Sequence, residues 1–187
     1  MDAAQASILT RFDARRFDAA AFALALAVRL AFLAVFLAKG LGAVYGRDLY
    51  YDLALSWLGW APMPAFDATH PPLYTALIAA VLGVFRSPEP LPVLVLQCLL
   101  GAGSVVLVRR IGARLLDDRT ARVAALWAAL DPALIFFTPH LQTETAFVAM
   151  ELVFFLGLLA LWDRPLSWRL AVLGVWGGLC VLCRSMF

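Results

Sequence analysis

Charge is what this chain has least of. Asp, Glu, Lys and Arg make up 15% of its 187 residues, while 64% are hydrophobic and the mean hydropathy is +0.87. A typical soluble domain carries about 25% charged residues. A 20.4 kDa globule exposes too much surface to cover with so few charges. A soluble enzyme is excluded, as is a disordered or nucleic-acid-binding chain. Lysine is almost missing, with Lys39 alone beside fourteen arginines, so the placement of arginine carries more information than the net charge of +2. Cysteine is scarce too. Cys98, Cys180 and Cys183 lie inside apolar runs, and no disulfide framework is implied. The Cys180-x-x-Cys183 spacing, in an apolar helix, reads as two small packing residues. No Walker loop, G-x-G-x-x-G, H-E-x-x-H or Ser-His-Asp spacing occurs.

What the chain has is long apolar runs. A helix needs roughly 20 mostly apolar residues to cross a bilayer core of about 30 Å. Spans are expected at 19–41, 91–108, 122–138, 144–162 and 169–187. The first run is longer than a signal-peptide core, so it reads as an uncleaved span. Ahead of it, Ile8, Leu9, Phe12 and Phe17 alternate with Arg and Asp, the pattern of a short interfacial helix within a cytoplasmic segment 1–18. A sixth apolar stretch, Pro71 to Phe85, covers only about 22 Å as a helix. Counting it as a span would also put Arg109, Arg110, Arg114, Arg119 and Arg122 outside, against the positive-inside rule. It is therefore expected to lie beside the membrane within an extracytoplasmic loop, 42–90. The fold class that follows is an all-α polytopic membrane protein, one transmembrane module of about five spans with juxtamembrane helices in its first outer loop. The N-terminus is expected in the cytoplasm and the C-terminus outside.

Against that apolar background a few polar residues stand out. Asp48 follows the first span and reads either as an ordinary loop acid at a helix start or as a carboxylate held at the bilayer surface for base or ligand work. His70, before Pro71-Pro72, reads as a cap or as a substrate ligand. Thr143 and Glu144 suit the opening of a helix. In the expected topology, however, Asp48, His70, Glu144 and Arg184 all face the outer side. Ionisable groups gathered on a hydrophobic bundle point to function. Inside the spans, Asp131 is expected to be buried, to neutralise or to pair with Arg29, and Glu151 lies two turns below Glu144 on one helix face. Gly101-Ala102-Gly103-Ser104 and Gly177-Gly178 read as close-packing patches.

Taken in order, these segments resemble the N-terminal half of the C superfamily of membrane glycosyltransferases (GT-C), in particular the protein mannosyltransferases and the lipid A aminoarabinose transferases. Four motifs carry the resemblance: Asp48-Leu49-Tyr50-Tyr51 after the first span, His70-Pro71-Pro72-Leu73-Tyr74, the basic loop from Arg109 to Arg122, and Thr143-Glu144 opening the fourth span. Gly177 to Arg184 resembles the family's small-residue run ending in a basic residue. The resemblance implies sugar transfer from a polyprenyl-phosphate-linked donor to an acceptor at the extracytoplasmic face. It implies Asp48 as the catalytic base, Arg184 as partner of the donor phosphate, and Tyr51, His70, Tyr74 and Glu144 as substrate-binding or pocket-shaping residues. Relatives often have Asp-Glu where this chain has Arg47-Asp48, which keeps Asp52 as a weaker candidate. The implied partners are membrane lipids, the polyprenyl-phosphate sugar and further membrane subunits, with no nucleic acid. The implied setting is a bacterial inner (plasma) membrane. No metal ligand set is indicated, and a divalent metal stays an open option. The family has more spans than this chain, so the chain is expected to be the N-terminal part of a longer architecture, active when completed by missing or partner segments. The alternative is a catalytically inactive accessory or scaffold subunit of a larger membrane complex. Transport ranks last, since only Arg29, Asp131 and Glu151 are available to line a path.

Overall fold

The computed structural model describes residues 3–41, 49–64, 70–163 and 167–184. Among them are eight helices: α1 (Ala3–Ala38), α2 (Leu49–Trp57), α3 (Pro72–Phe85), α4 (Leu91–Leu115), α5 (Asp118–Leu130), α6 (Pro132–Phe136), α7 (Glu144–Asp163) and α8 (Ser167–Cys183). Three segments, Asp13–Ala38, Leu91–Leu115 and Glu144–Trp162, are long and apolar enough to cross a membrane. Helices α3 and α8 are apolar but shorter, at 14 and 17 residues. The protein is an all-helical polytopic membrane protein. Its outward side chains are largely apolar, as a lipid-facing surface requires, and Trp162 and Trp168 stand exposed where α7 turns into α8.

Two expected elements take a different form. The segment expected as a separate interfacial helix continues without a break into the first span, because no glycine or proline interrupts Ala3 to Ala38. The helix ends where Gly40 takes a left-handed conformation (φ 67°) and its amide donates to Leu37 O. The expected span 122–138 is two helices, α5 and α6, broken at Asp131-Pro132. Pro132 has no N–H to close the turn on Ala128, and it forces the residue before it into an extended conformation. Asp131 sits there at φ −60°, ψ 120°, and its carboxylate caps α6 by accepting from the Leu134 amide at 2.9 Å.

The break explains Arg29, which is 1% exposed in the middle of α1. Its guanidinium donates to the carbonyls of Ala25 (3.1 Å), Ala129 (3.3 Å) and Ala128 (3.5 Å). The last two are carbonyls that the proline break leaves without helical partners, at the negative end of the α5 dipole. The expected pairing with Asp131 therefore does not form, and Asp131 is half-buried rather than buried. Gly101 on α4 makes room for the same side chain: a Cβ there would fall 2.6 Å from Arg29 Nε.

Helix α4 is the centre of the bundle, packing on α1, α3, α5 and α7. Where α1, α4 and α5 meet, the core is small: Ala21, Ala25, Ala102, Val105, Ala125 and Ala129. Alanines at i, i+4 on two helices let the backbones approach, the usual device where lipid supplies no hydrophobic drive. A larger cluster, with Leu33, Tyr51, Tyr74, Ile78, Leu82, Leu94, Leu141 and Cys183 among its members, ties α2 and α3 to α4, α7 and α8. All three cysteines are buried free thiols. At one end of the bundle, Arg109 forks onto Asp18 through Nε and Nη2 and reaches Asp118 at 3.3 Å, and the side chains of Arg109 and Asp18 are both largely buried. Arg122 joins Asp118 (2.7 Å) to Asp13. Arginines read from sequence as orientation markers thus also lock α1 to α4 and α5.

Candidate functional site

The opposite end holds the candidate residues. Helix α7 opens with Glu144, whose Oε1 lies 3.1 Å from Nη1 of Arg184, the residue after α8. Both side chains are about a third exposed, and the Arg184 guanidinium carbon lies 5.9 Å from the centre of the Phe147 ring. One Nη group holds Glu144, and the planar fork has five N–H donors in all, so an anion arriving from outside meets further donors.

A second group is aromatic. The His70 ring stands edge-on to Tyr50 at 4.9 Å, and Tyr50 stands edge-on to Tyr74 at 5.4 Å. Tyr74 is buried, and its hydroxyl donates to Gln97 Oε1 on α4. Gln97 Nε2 in turn donates to the carbonyls of Thr138 and His140, both at 2.7 Å. All of the Gln97 amide's main hydrogen-bonding positions are thereby used, as burial demands. The chain His70–Tyr50–Tyr74–Gln97 thus reaches the turn that leads into Glu144. His140 in that turn is buried, with Nδ1 2.8 Å from Phe136 O and its ring against Phe36 and Phe136. It is a packing histidine.

Of the sequence-predicted residues, Glu144 and Arg184 meet directly, and His70 and Tyr74 share the aromatic chain. Tyr51 is buried on α2 and its hydroxyl donates to Pro88 O, pinning the approach to α4. Tyr51 and Tyr74 are both buried. Asp48 lies outside the described residues. Among the described residues, no three His, Cys, Asp or Glu gather in a way that would hold a metal ion. Gln97 is the residue that the sequence reading passed over. Its signal was present: it is the one amide in the apolar run from Leu91 to Val108, and polar residues inside spans are rarely idle.

A family model described as dolichyl-phosphate-mannose-protein mannosyltransferase matches residues 69–187. The chain belongs to that family. The matched stretch contains His70, Tyr74, Glu144 and Arg184, and Asp48 and Tyr51 precede it. Membership makes the chain a membrane glycosyltransferase-type protein of the C superfamily, in accord with the helical bundle. Searches of curated proteins and of solved structures return no match. The ion pair and the aromatic chain occupy the end of the bundle away from the Arg109–Asp18 lock.

Proposed function

We propose that this protein transfers a sugar from a polyprenyl-phosphate-linked donor to an acceptor at the extracytoplasmic face of the membrane. The observation that carries the proposal is the mannosyltransferase-family match over the stretch that contains the Glu144–Arg184 pair. In this reading the donor's prenyl tail lies along the apolar flank of the bundle. Its phosphate meets the N–H donors of Arg184, whose planar guanidinium suits that anion. Glu144 holds Arg184 in place, and His70, beside Tyr50, borders the sugar or acceptor. Tyr51 and Tyr74 brace that end of the bundle from beneath.

Asp48 takes the role of general base. It removes the proton from an acceptor hydroxyl or amine as that group attacks the anomeric carbon, and the prenyl phosphate leaves with the electron pair of the broken glycosidic bond. A carboxylate just past the first span is suited to this, because the bilayer surface is where a lipid-borne donor meets a water-side acceptor. The N-terminus then lies in the cytoplasm with the basic end of the bundle, and the C-terminal side of α8 faces out.

The test is sugar transfer from a radiolabelled polyprenyl-phosphate sugar by the full chain in proteoliposomes. Asp48→Asn is expected to lower the rate by at least 100-fold, the scale of a lost general base, with donor binding kept. Unchanged transfer by Asp48→Asn removes the base assignment.

A further inference from the structure

Three buried side-chain polar atoms have no partner among the described residues: Arg29 Nε, Glu144 Oε2 and Thr145 Oγ1. All three belong to residues lining one cavity of about 220 Å³ between α1, α4, the α5–α6 break and α7. Unsatisfied buried polar groups are uncommon and each calls for a reason. Three in one cavity, with Arg29 and Thr145 more than nine-tenths buried, point to a missing ligand. Most of the remaining wall is apolar, with Val105, Val148 and Leu152 among its members. Gly101 borders the cavity, and the lack of a Cβ there leaves room for the Arg29 side chain that lines it.

The charges decide what kind of ligand fits. The Nη groups of Arg29 are held by carbonyls at the negative end of α5, and Glu144 Oε1 is held by Arg184. Both charges already have their compensation. What remains open is one donor (Nε–H), one acceptor (Oε2) and one hydroxyl that does both. A phosphate or carboxylate would face Glu144, and an ammonium would face Arg29. A neutral group that both donates and accepts matches the chemistry of all three. We propose that this cavity is a binding site for a small neutral amphiphile with an alcohol head and an apolar body. A cavity of about 150 Å³ takes benzene, so this one holds roughly nine non-hydrogen atoms. The site is separate in chemistry from the phosphate contact assigned to Arg184, and it stands whether or not the protein transfers sugar.

The experiment uses the full chain in nanodiscs, with octan-1-ol, octane, octanoate and octylammonium as probes. Each probe competes against a diazirine-bearing C8 alcohol, whose photolabelling sites are mapped by mass spectrometry. The expected result is saturable labelling of Val148 or Leu152, displaced by octan-1-ol at concentrations at least tenfold below those of the other three. Thr145→Val is expected to weaken octan-1-ol about fivefold, the scale of one hydrogen bond. Equal competition by octane reduces the cavity to an apolar void and overturns the proposal. Tighter competition by octanoate or octylammonium overturns the charge argument. Labelling confined to other helices, or none that saturates, overturns the site itself, and these wild-type readouts hold even where Thr145→Val fails to fold. No sugar transfer is measured, so none of these results bears on the transferase reading.

Discussion

Arg29 shows how a single residue is fixed by what a distant proline leaves undone. Its guanidinium takes up the Ala128 and Ala129 carbonyls, and its Nε presses towards Gly101. Gly101→Ala gains helix propensity of up to about 1 kcal/mol, but the new methyl meets a side chain that three carbonyls hold in place. Overpacking costs about 1–3 kcal/mol, so the net expectation is a loss of about 1 kcal/mol and a lower Tm in detergent. Two residues on, a Cβ at Gly103 would have nothing within 4 Å. Gly103→Ala should therefore be neutral or stabilising, and a thermal melt of the two variants side by side checks the contrast. The sequence shows the two glycines as one packing patch. Only the position of Arg29 separates them, and no local rule predicts that a cation in α1 will seek carbonyls one hundred residues away.

At the scale of elements, hydropathy was enough to find the long crossings, because a run of twenty apolar residues has few other uses. It failed at 122–138, where averaging over the window hid the backbone consequence of Pro132. Asp131, read as a buried charge, is a cap, and that role follows from its position just before a proline. The start of α5 shows the same logic at the membrane edge. The Asp117 carboxylate accepts from the Thr120 hydroxyl (2.6 Å) and amide (3.0 Å). These bonds, the hydroxyl's first, hold its pKa below the usual carboxylate value. A depressed folded pKa means that the cap's stabilisation is present above the unfolded pKa and is lost as pH falls through the folded one. Asp117→Ala should lower Tm at neutral pH, and the gap to wild type should close as the medium is acidified below the ordinary carboxylate range. A gap that persists in acid would mean that something other than the ionised cap is lost.

For the whole molecule, the two ends of the bundle are chemically different. One end is locked by Asp13, Asp18, Arg109, Asp118 and Arg122, and the other carries Glu144, Arg184 and the aromatic chain from His70. The motif resemblance made most of the second end legible, since each motif names a residue. The Gln97 hub stayed hidden because its partners are a tyrosine side chain on another helix and two backbone carbonyls, none of which has a sequence signature. In the proposed orientation the basic end faces the cytoplasm. A cysteine at Arg114→Cys should resist a membrane-impermeant thiol reagent in sealed, right-side-out vesicles and react once they are opened. Labelling in sealed vesicles would reverse the orientation.

The central claim is that the Glu144–Arg184 end receives a prenyl phosphate. Native mass spectrometry of the purified full chain with a polyprenyl phosphate tests it directly. The expected result is one lipid retained per chain by the wild type and at least tenfold weaker retention by Arg184→Ala. Equal retention by both proteins, or none by the wild type, would contradict it.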